Sequence, residues 1–198
     1  MLDGNELIGK TPREIWRLGV SRTFQIAETF ASLTVVENVQ MALLSADRKL
    51  FSMWRRAAGH QRERALELLD QVSMKAQADR PCSVLAYGDV KRVELAIAMA
   101  NDPKLLLMDE PTAGMAPKER NELMALTKDL VLQRGLAVLF TEHSMDVVFD
   151  FADRIMVLAR GQVIAIGSPS SIQNNALVQE VYFGKKMSQQ LQSSTSAS

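Results

Sequence analysis

The sequence predicts an α/β domain with a mostly parallel sheet and a helical subdomain set into it. Three observations predict this. First, Leu105-Leu-Leu-Met108 runs without alternation into Asp109 and Glu110, and Pro111 follows at once. An apolar run of this length fits a strand buried on both faces, as in a parallel sheet. Second, strand-like and helix-like stretches alternate from Leu105 to Ala159, the pattern of parallel strands joined by crossover helices. Third, the stretch from about Leu33 to Asn101 shows helical periodicity with no strand between, and reads as a helical insertion.

The elements follow in order. Met1 to Ile8 carries the turn signal Asp3-Gly4 and reads as a hairpin. Thr11 can cap a short helix whose first position is Pro12. Val20 to Gln25 is strand-like. Thr34 can cap a helix, with Glu37 three residues on and Val35, Val39 and Leu43 at helical spacing. Lys49 to Gly59 is mixed and basic and reads as an exposed connection. A helix from about Gln61 to Val72 places Ala65, Leu68, Leu69 and Val72 on one face. Another runs from about Asp89 to Asn101 with Val90, Val93, Ile97 and Ala100 as its apolar stripe. Pro117 starts a helix that buries Leu123, Leu126, Leu130 and Val131 and ends at Gly135. Leu136 to Phe140 reads as a second buried strand, and Ser144 can cap a helix to about Phe151. Arg154–Ala159 and Gln162–Ile166 form a hairpin about Arg160-Gly161. Short helical pieces reach about Phe183. The Ser- and Gln-rich end, 185–198, is expected to be disordered, and the folded domain is expected to span 1–184 with its helical subdomain at about 33–100.

Composition narrows the function classes. Lys+Arg and Asp+Glu balance at 23 each, so net charge offers no argument for a nucleic-acid partner. The single cysteine, Cys82, excludes an intrachain disulfide and a Cys-rich metal site, and suits a reducing compartment. No apolar run approaches the roughly 20 residues that span a bilayer. Asp3, Asn5 and Glu6 fall where the apolar part of a signal peptide would begin. The expected location is cytoplasmic, with any membrane role exercised through a partner.

The chemistry-bearing residues cluster at strand ends, where open α/β sheets bind ligands. Asp109 can hold Mg²⁺, directly or through water, and Glu110 can polarise an attacking water as general base. His143 closes the next strand and can bond a phosphate oxygen. Gln25 closes an earlier strand, and its amide can reach the metal or the water. Leu85-Ala-Tyr-Gly-Asp89 places a Gly at a helix start, where N–H groups and the helix dipole favour a phosphate. Taken singly, each has an ordinary structural role open to it as well: surface Gln, hydrogen-bonding His, solvated acid, plain turn.

Their order is more specific. Phe24-Gln25, a helical stretch, Leu85 to Asp89, a helix, Leu105 to Thr112 and Thr141-Glu-His143 together resemble the ATP-binding cassette of membrane transporters, over nearly the whole chain to about Gly184. The resemblance implies a P-loop NTPase-like fold, ATP and Mg²⁺ as ligands, and ATP hydrolysis. It makes Gln25 the Q-loop residue and a metal contact, and Leu85, Ala86, Tyr87, Gly88 and Asp89 the signature loop. It makes Asp109 the metal-binding acid, Glu110 the catalytic base, Ala113 to Ala116 the D-loop, and His143 the switch histidine. Ser21 to Gln25, Leu33 to Asn38 and Thr112 to Pro117 look like cassettes of branched-chain amino acid importers, with urea-importer cassettes as near relatives. Implied partners are a second cassette, membrane permease subunits on the inner face of the plasma membrane and, indirectly, a solute-binding protein. The short insertion and zero net charge argue against a cassette of a DNA-repair or translation factor.

Three departures accompany the resemblance. The signature has Ala86 where Ser is usual, and the D-loop has Ala116 where Asp is usual. No Gly-x-x-x-x-Gly-Lys-[Ser/Thr] occurs in the sequence, so the chain resembles a cassette without its front portion, and a partial, non-hydrolysing cassette is the competing expectation. In the family the P-loop strand lies between those at Leu136–Phe140 and Arg154–Ala159. These two strands are therefore expected not to pair directly, and the isolated chain to be poorly stable.

Overall fold

The computed structural model describes residues 1–23, 29–46 and 54–182, with side chains in the last stretch described from 61 onward. The chain divides into two compact units, Met1–Glu142 and His143–Ser198.

The first unit opens with a turn at Asp3-Gly4, closed by a single bridge between Leu2 and Asn5, where a longer hairpin is expected. Thr11 caps α1 (Pro12–Arg17). Its hydroxyl accepts from Glu14 N at 3.3 Å, and the Glu14 carboxylate accepts from Thr11 N at 2.8 Å. This reciprocal box satisfies two amide donors that a helix start leaves open. Strand β1 (Val20–Thr23) follows. Phe24 and Gln25 lie outside the described residues.

The same box starts α2 (Val35–Ala46), with Thr34 N donating to Glu37 Oε2 at 2.8 Å and Glu37 N to Thr34 Oγ1 at 3.3 Å. The backbone bond from Thr34, followed by the Thr34 hydroxyl, holds the Glu37 carboxyl below its ordinary pKa of 4.5. A depressed folded pKa gives stability that is complete above the ordinary value and is lost as pH falls through the folded one. Glu37→Gln is therefore expected to destabilise the chain at about pH 7, with the difference from wild type shrinking as pH falls below the ordinary carboxylate range, as read by urea unfolding across that range.

Helix α3 (Trp54–Gln71) begins at Trp54 rather than near Gln61. Trp54 to Gly59, expected as exposed connection, is helical: its Arg and Ala residues are strong helix formers and outweigh Gly59. Ala65, Leu68, Leu69 and Val72 are buried as expected. Leu69 is fully buried, so Leu69→Ala is expected to cost about 2–5 kcal/mol, checked by the urea midpoint. Helix α4 (Tyr87–Met99) starts two residues early and is buried more widely than one stripe, taking in Lys91, Glu94, Leu95, Ala96 and Met99 besides Val93. The reason is its position: it packs against α2, α3, β1 and α5 (Pro117–Arg134). A charged pair survives there because Lys91 Nζ lies 3.0 Å from Glu94 Oε2.

Strands β2 (Leu105–Asp109) and β3 (Ala137–Thr141) complete a parallel sheet of order β1-β2-β3. Leu105 pairs with Val20 and Ala137, and Asp109 with Thr141. Alternation then sorts the side chains. One face carries Ser21, Thr23, Leu106, Met108, Val138 and Phe140, and joins the core with Leu123 and Leu130 of α5. The other carries Arg22, Leu107, Asp109, Leu139 and Thr141 and is open. Burial of β2 and β3 on both faces, expected from their apolar runs, is thus corrected: β2 buries Leu106 and Met108 on one face, and β3 half-buries Val138 and Phe140 on the same side. Leu139, on the open face, remains 62% exposed.

In the second unit, α6 (Met145–Phe151) is followed by β4 (Ile155–Ala159) and β5 (Gln162–Gly167), an antiparallel pair turning at Arg160 and Gly161 with φ of 51° and 77°. Ser144 takes the N-cap position without a side-chain bond to the helix start. Positive φ at both positions is the two-residue turn that matches strand twist. Helix α7 (Pro169–Gln173) and helical turns at 176–182 close the unit. Ile155, Val157, Ile172 and Val178 form its core. Among the described residues β3 pairs with β2, and β4 with β5.

Candidate functional site

The carboxyl end of β2 carries the two acids. Asp109 lies on the open face of the sheet, beside its register neighbour Thr141. Thr141 Oγ1 donates to its Oδ1 at 2.7 Å, and Arg22 Nη2 donates to its Oδ2 at 3.2 Å. Both members of the Arg22–Asp109 pair are about half exposed, so the pair contributes at most about 1 kcal/mol and is easily exchanged. Glu110 has φ of +43°, the left-handed region that costs a side-chain-bearing residue about 1–2 kcal/mol. Such a conformation persists only where its surroundings over-determine it. Here Glu110 N donates to Thr141 O at 3.1 Å and Thr141 Oγ1 at 3.2 Å, and Ala113 N donates to Glu110 O at 3.1 Å. Thr112 is buried, and both its N–H and its hydroxyl donate to Glu142 Oε1, at 3.0 and 2.6 Å. The turn continues through Gly114 at φ of +76° into α5. At the start of α5, Glu119 bonds back to Ala116 N at 3.4 Å, half of a capping box, since Ala116 has no side-chain acceptor.

The Leu85–Asp89 loop stands beside this turn. Ala86 is the N-cap of α4 and makes no side-chain cap bond, so the first amides of α4 stay available. Unsatisfied N–H groups and the positive end of the helix dipole favour an anion there. A Cβ on Gly88 would stand 3.6 Å from Met115 Cε, and one on Gly114 would stand 4.0 Å from Tyr87 Cε1. Ala86 and Tyr87 are exposed, Leu85, Gly88 and Asp89 half-buried. Asp89 Oδ2 accepts from Gln77 Nε2 at 3.1 Å, and Lys91 Nζ sits 5.5 Å from the Tyr87 ring centre, an arrangement that steadies the ring.

A second clamp reaches the chain just after Gln25. Buried Asn38 accepts from Phe30 N at 2.8 Å and donates to Phe30 O, Thr34 O and Cys82 Sγ. Val35 N to Arg80 O, Cys82 N to Leu33 O and Ser83 N to Ala31 O add backbone bonds. Phe30 to Thr34 is thus fixed to the segment that enters the Leu85 loop. Desolvation raises the pKa of the Cys82 thiol, which therefore stays neutral.

The first unit accordingly brings Asp109, Glu110 and Leu85 to Asp89 to neighbouring turns. His143 is exposed and begins the second unit. Gln25 is outside the described residues. Sequence reasoning missed Arg22, Thr112, Thr141 and Glu142 as supports of the acids. The available signal was the polar pair Thr141-Glu142, at the strand end that a parallel register sets beside Asp109. Among the described residues no three His, Cys, Asp or Glu form a metal cluster. One carboxylate on an open face suits Mg²⁺, which completes its shell with phosphate oxygens and water rather than a protein cage. A cleft of about 300 Å³ lined by Asp3, Arg17, Gly19 and Lys104 lies at the other, amino end of β1 and β2.

The ABC transporter family model matches residues 1–113. The chain is 37% identical over 193 residues to the high-affinity branched-chain amino acid transport ATP-binding protein LivG of Escherichia coli K12, covering 93% of this chain and 75% of that protein. It is 36% identical to BraF of Pseudomonas aeruginosa, which bears the same description, with the same two coverages. The ADP-bound crystal structure of MJ1267, an ATP-binding cassette of an ABC transporter, superimposes with a TM-score of 0.74 at 27% identity, covering 91% of this chain and 74% of that one. No helix among the described residues is long and apolar enough to cross a membrane.

Proposed function

The chain belongs to the ABC transporter family, and from that premise we propose that it is the ATP-hydrolysing subunit of a branched-chain amino acid importer. One observation carries the reading: the adjacent acids Asp109 and Glu110 end the central parallel strand, with the Asp109 carboxylate on the open face of the sheet. Asp109 would hold Mg²⁺ in the place Arg22 now takes, and the metal would neutralise charge on the phosphate oxygens. Glu110 accepts the proton of the attacking water as general base. Its left-handed backbone is set before the reaction. His143 donates a hydrogen bond to a γ-phosphate oxygen, and the Gln25 amide would reach the metal or the water.

The Leu85–Asp89 loop faces the nucleotide held by a second cassette. With no hydroxyl at Ala86, its backbone N–H groups and the α4 dipole carry that contact. The helical segment at about 33–100, inserted in a domain spanning 1–184, transmits closure to permease subunits on the cytoplasmic face of the membrane. Asn38 ties the Gln25 side of that segment to the signature loop. A solute-binding protein delivers the amino acid to the permease.

Photolabelling tests the loop's part. Azido-ATP with Mg²⁺, added to the assembled importer, is expected to label the peptide containing Leu85 to Asp89, and Gly88→Asp is expected to abolish that labelling by repelling the phosphates. Labelling that is absent from this peptide, or unchanged in Gly88→Asp, contradicts the reading.

A further inference from the structure

We propose that Glu142 is a positioning residue, holding the turn from Glu110 to Ala113 in the conformation that presents the two acids; this rests on the ATP-hydrolysing reading of those acids. Glu110 has a backbone that a side-chain-bearing residue rarely adopts, and it stays there only under restraint. The end of β3 supplies the restraint from two sides. Thr141 grips the turn on its amino side, through Glu110 N and Asp109 Oδ1. Glu142 grips it on the carboxyl side, through both donors of buried Thr112. A single oxygen, Oε1, takes both bonds.

The other oxygen, Oε2, is buried and makes no hydrogen bond among the described residues. What the structure does assign to this carboxylate is the pair of bonds from Thr112. Its placement is explained by the turn it holds. The same strand end continues directly into His143, so one short peptide supports the acids and carries the switch residue.

Two readouts test this. In the purified full chain, Glu142→Ala is expected to raise hydrogen exchange at amides 110–116 about tenfold or more, leaving the α4 amides within about twofold. Glu142→Gln keeps the accepting oxygen and is expected to restore the wild-type pattern. Thr112→Val, which deletes one of the two bonds, is expected to give an intermediate rise, and it decides the matter if Glu142→Ala does not fold. In the assembled importer, Glu142→Ala is expected to lower kcat for ATP about tenfold with KM nearly unchanged, and Glu142→Gln to recover it. Unchanged exchange at 110–116, a parallel rise in α4, failure of Glu142→Gln to rescue, or a raised KM with kcat retained would overturn the proposal. If the wild-type importer does not hydrolyse ATP, the ATPase reading fails, and the exchange measurement alone decides the role of Glu142.

Discussion

Glu110→Gln is expected to lower kcat for ATP hydrolysis by the assembled importer about a hundred- to ten-thousand-fold, the range removed with a general base. KM for ATP should change little, because the amide is isosteric and Asp109 keeps its place through Thr141. Glutamine tolerates the left-handed backbone no better and no worse than glutamate, so the turn should stay intact. Phosphate release under saturating ATP measures the effect. A loss below about fivefold would mean that Glu110 does not take the proton. An equal loss in Asp109→Asn with an unchanged Mg²⁺ requirement would mean that Asp109 does not serve the metal.

The second large effect is on stability. Glu94→Ala is expected to cost about 3–5 kcal/mol in urea unfolding, since it leaves the Lys91 ammonium buried without its carboxylate. The two side chains are 4% and 7% exposed and sit inside α4, where water cannot take over the lost contact. Replacing both together, Lys91→Met with Glu94→Leu, should restore most of the stability, because an apolar pair of similar volume avoids the desolvation cost altogether. A single substitution costing less than about 1 kcal/mol would show that water reaches the pair after all. The loss also bears on the site, since Lys91 lies over the Tyr87 ring at the signature loop.

Local signals translated directly into structure. Thr11–Glu14 and Thr34–Glu37 each close a capping box, because three-residue spacing alone brings the two side chains to each other's amides. Leu105 to Asp109 forms the central strand and delivers the acids to its carboxyl end. Periodicity, by contrast, reports which residues share a face and not what covers it. The apolar runs of β2 and β3 therefore implied two buried faces, where the fold buries one and leaves Leu139 open. The converse error occurred at α4, where packing from several elements buries Lys91 and Glu94 outside the expected stripe.

The candidate site divides along the same line. The positions of Asp109, Glu110 and the Leu85–Asp89 loop, at a strand end and a helix start, were legible because residue type and order along the chain coincide there. Their supports were not. Thr141 and Glu142 act across a strand pairing whose register becomes visible only once β3 is placed against β2. Arg22 reaches Asp109 from the neighbouring strand β1, 87 residues away in sequence, through the alternation of that strand. Such contacts are set by the sheet and leave no local pattern.

The central claim, that this chain drives amino acid import through the acids at the end of β2, is tested most directly by uptake into sealed proteoliposomes. These would hold the chain with its permease subunits, ATP on the chain's side, and binding protein loaded with radiolabelled leucine on the other. The account predicts ATP-dependent leucine accumulation that Glu110→Gln abolishes. Accumulation that continues undiminished in Glu110→Gln, or ATP-driven uptake of urea with none of leucine, would contradict it.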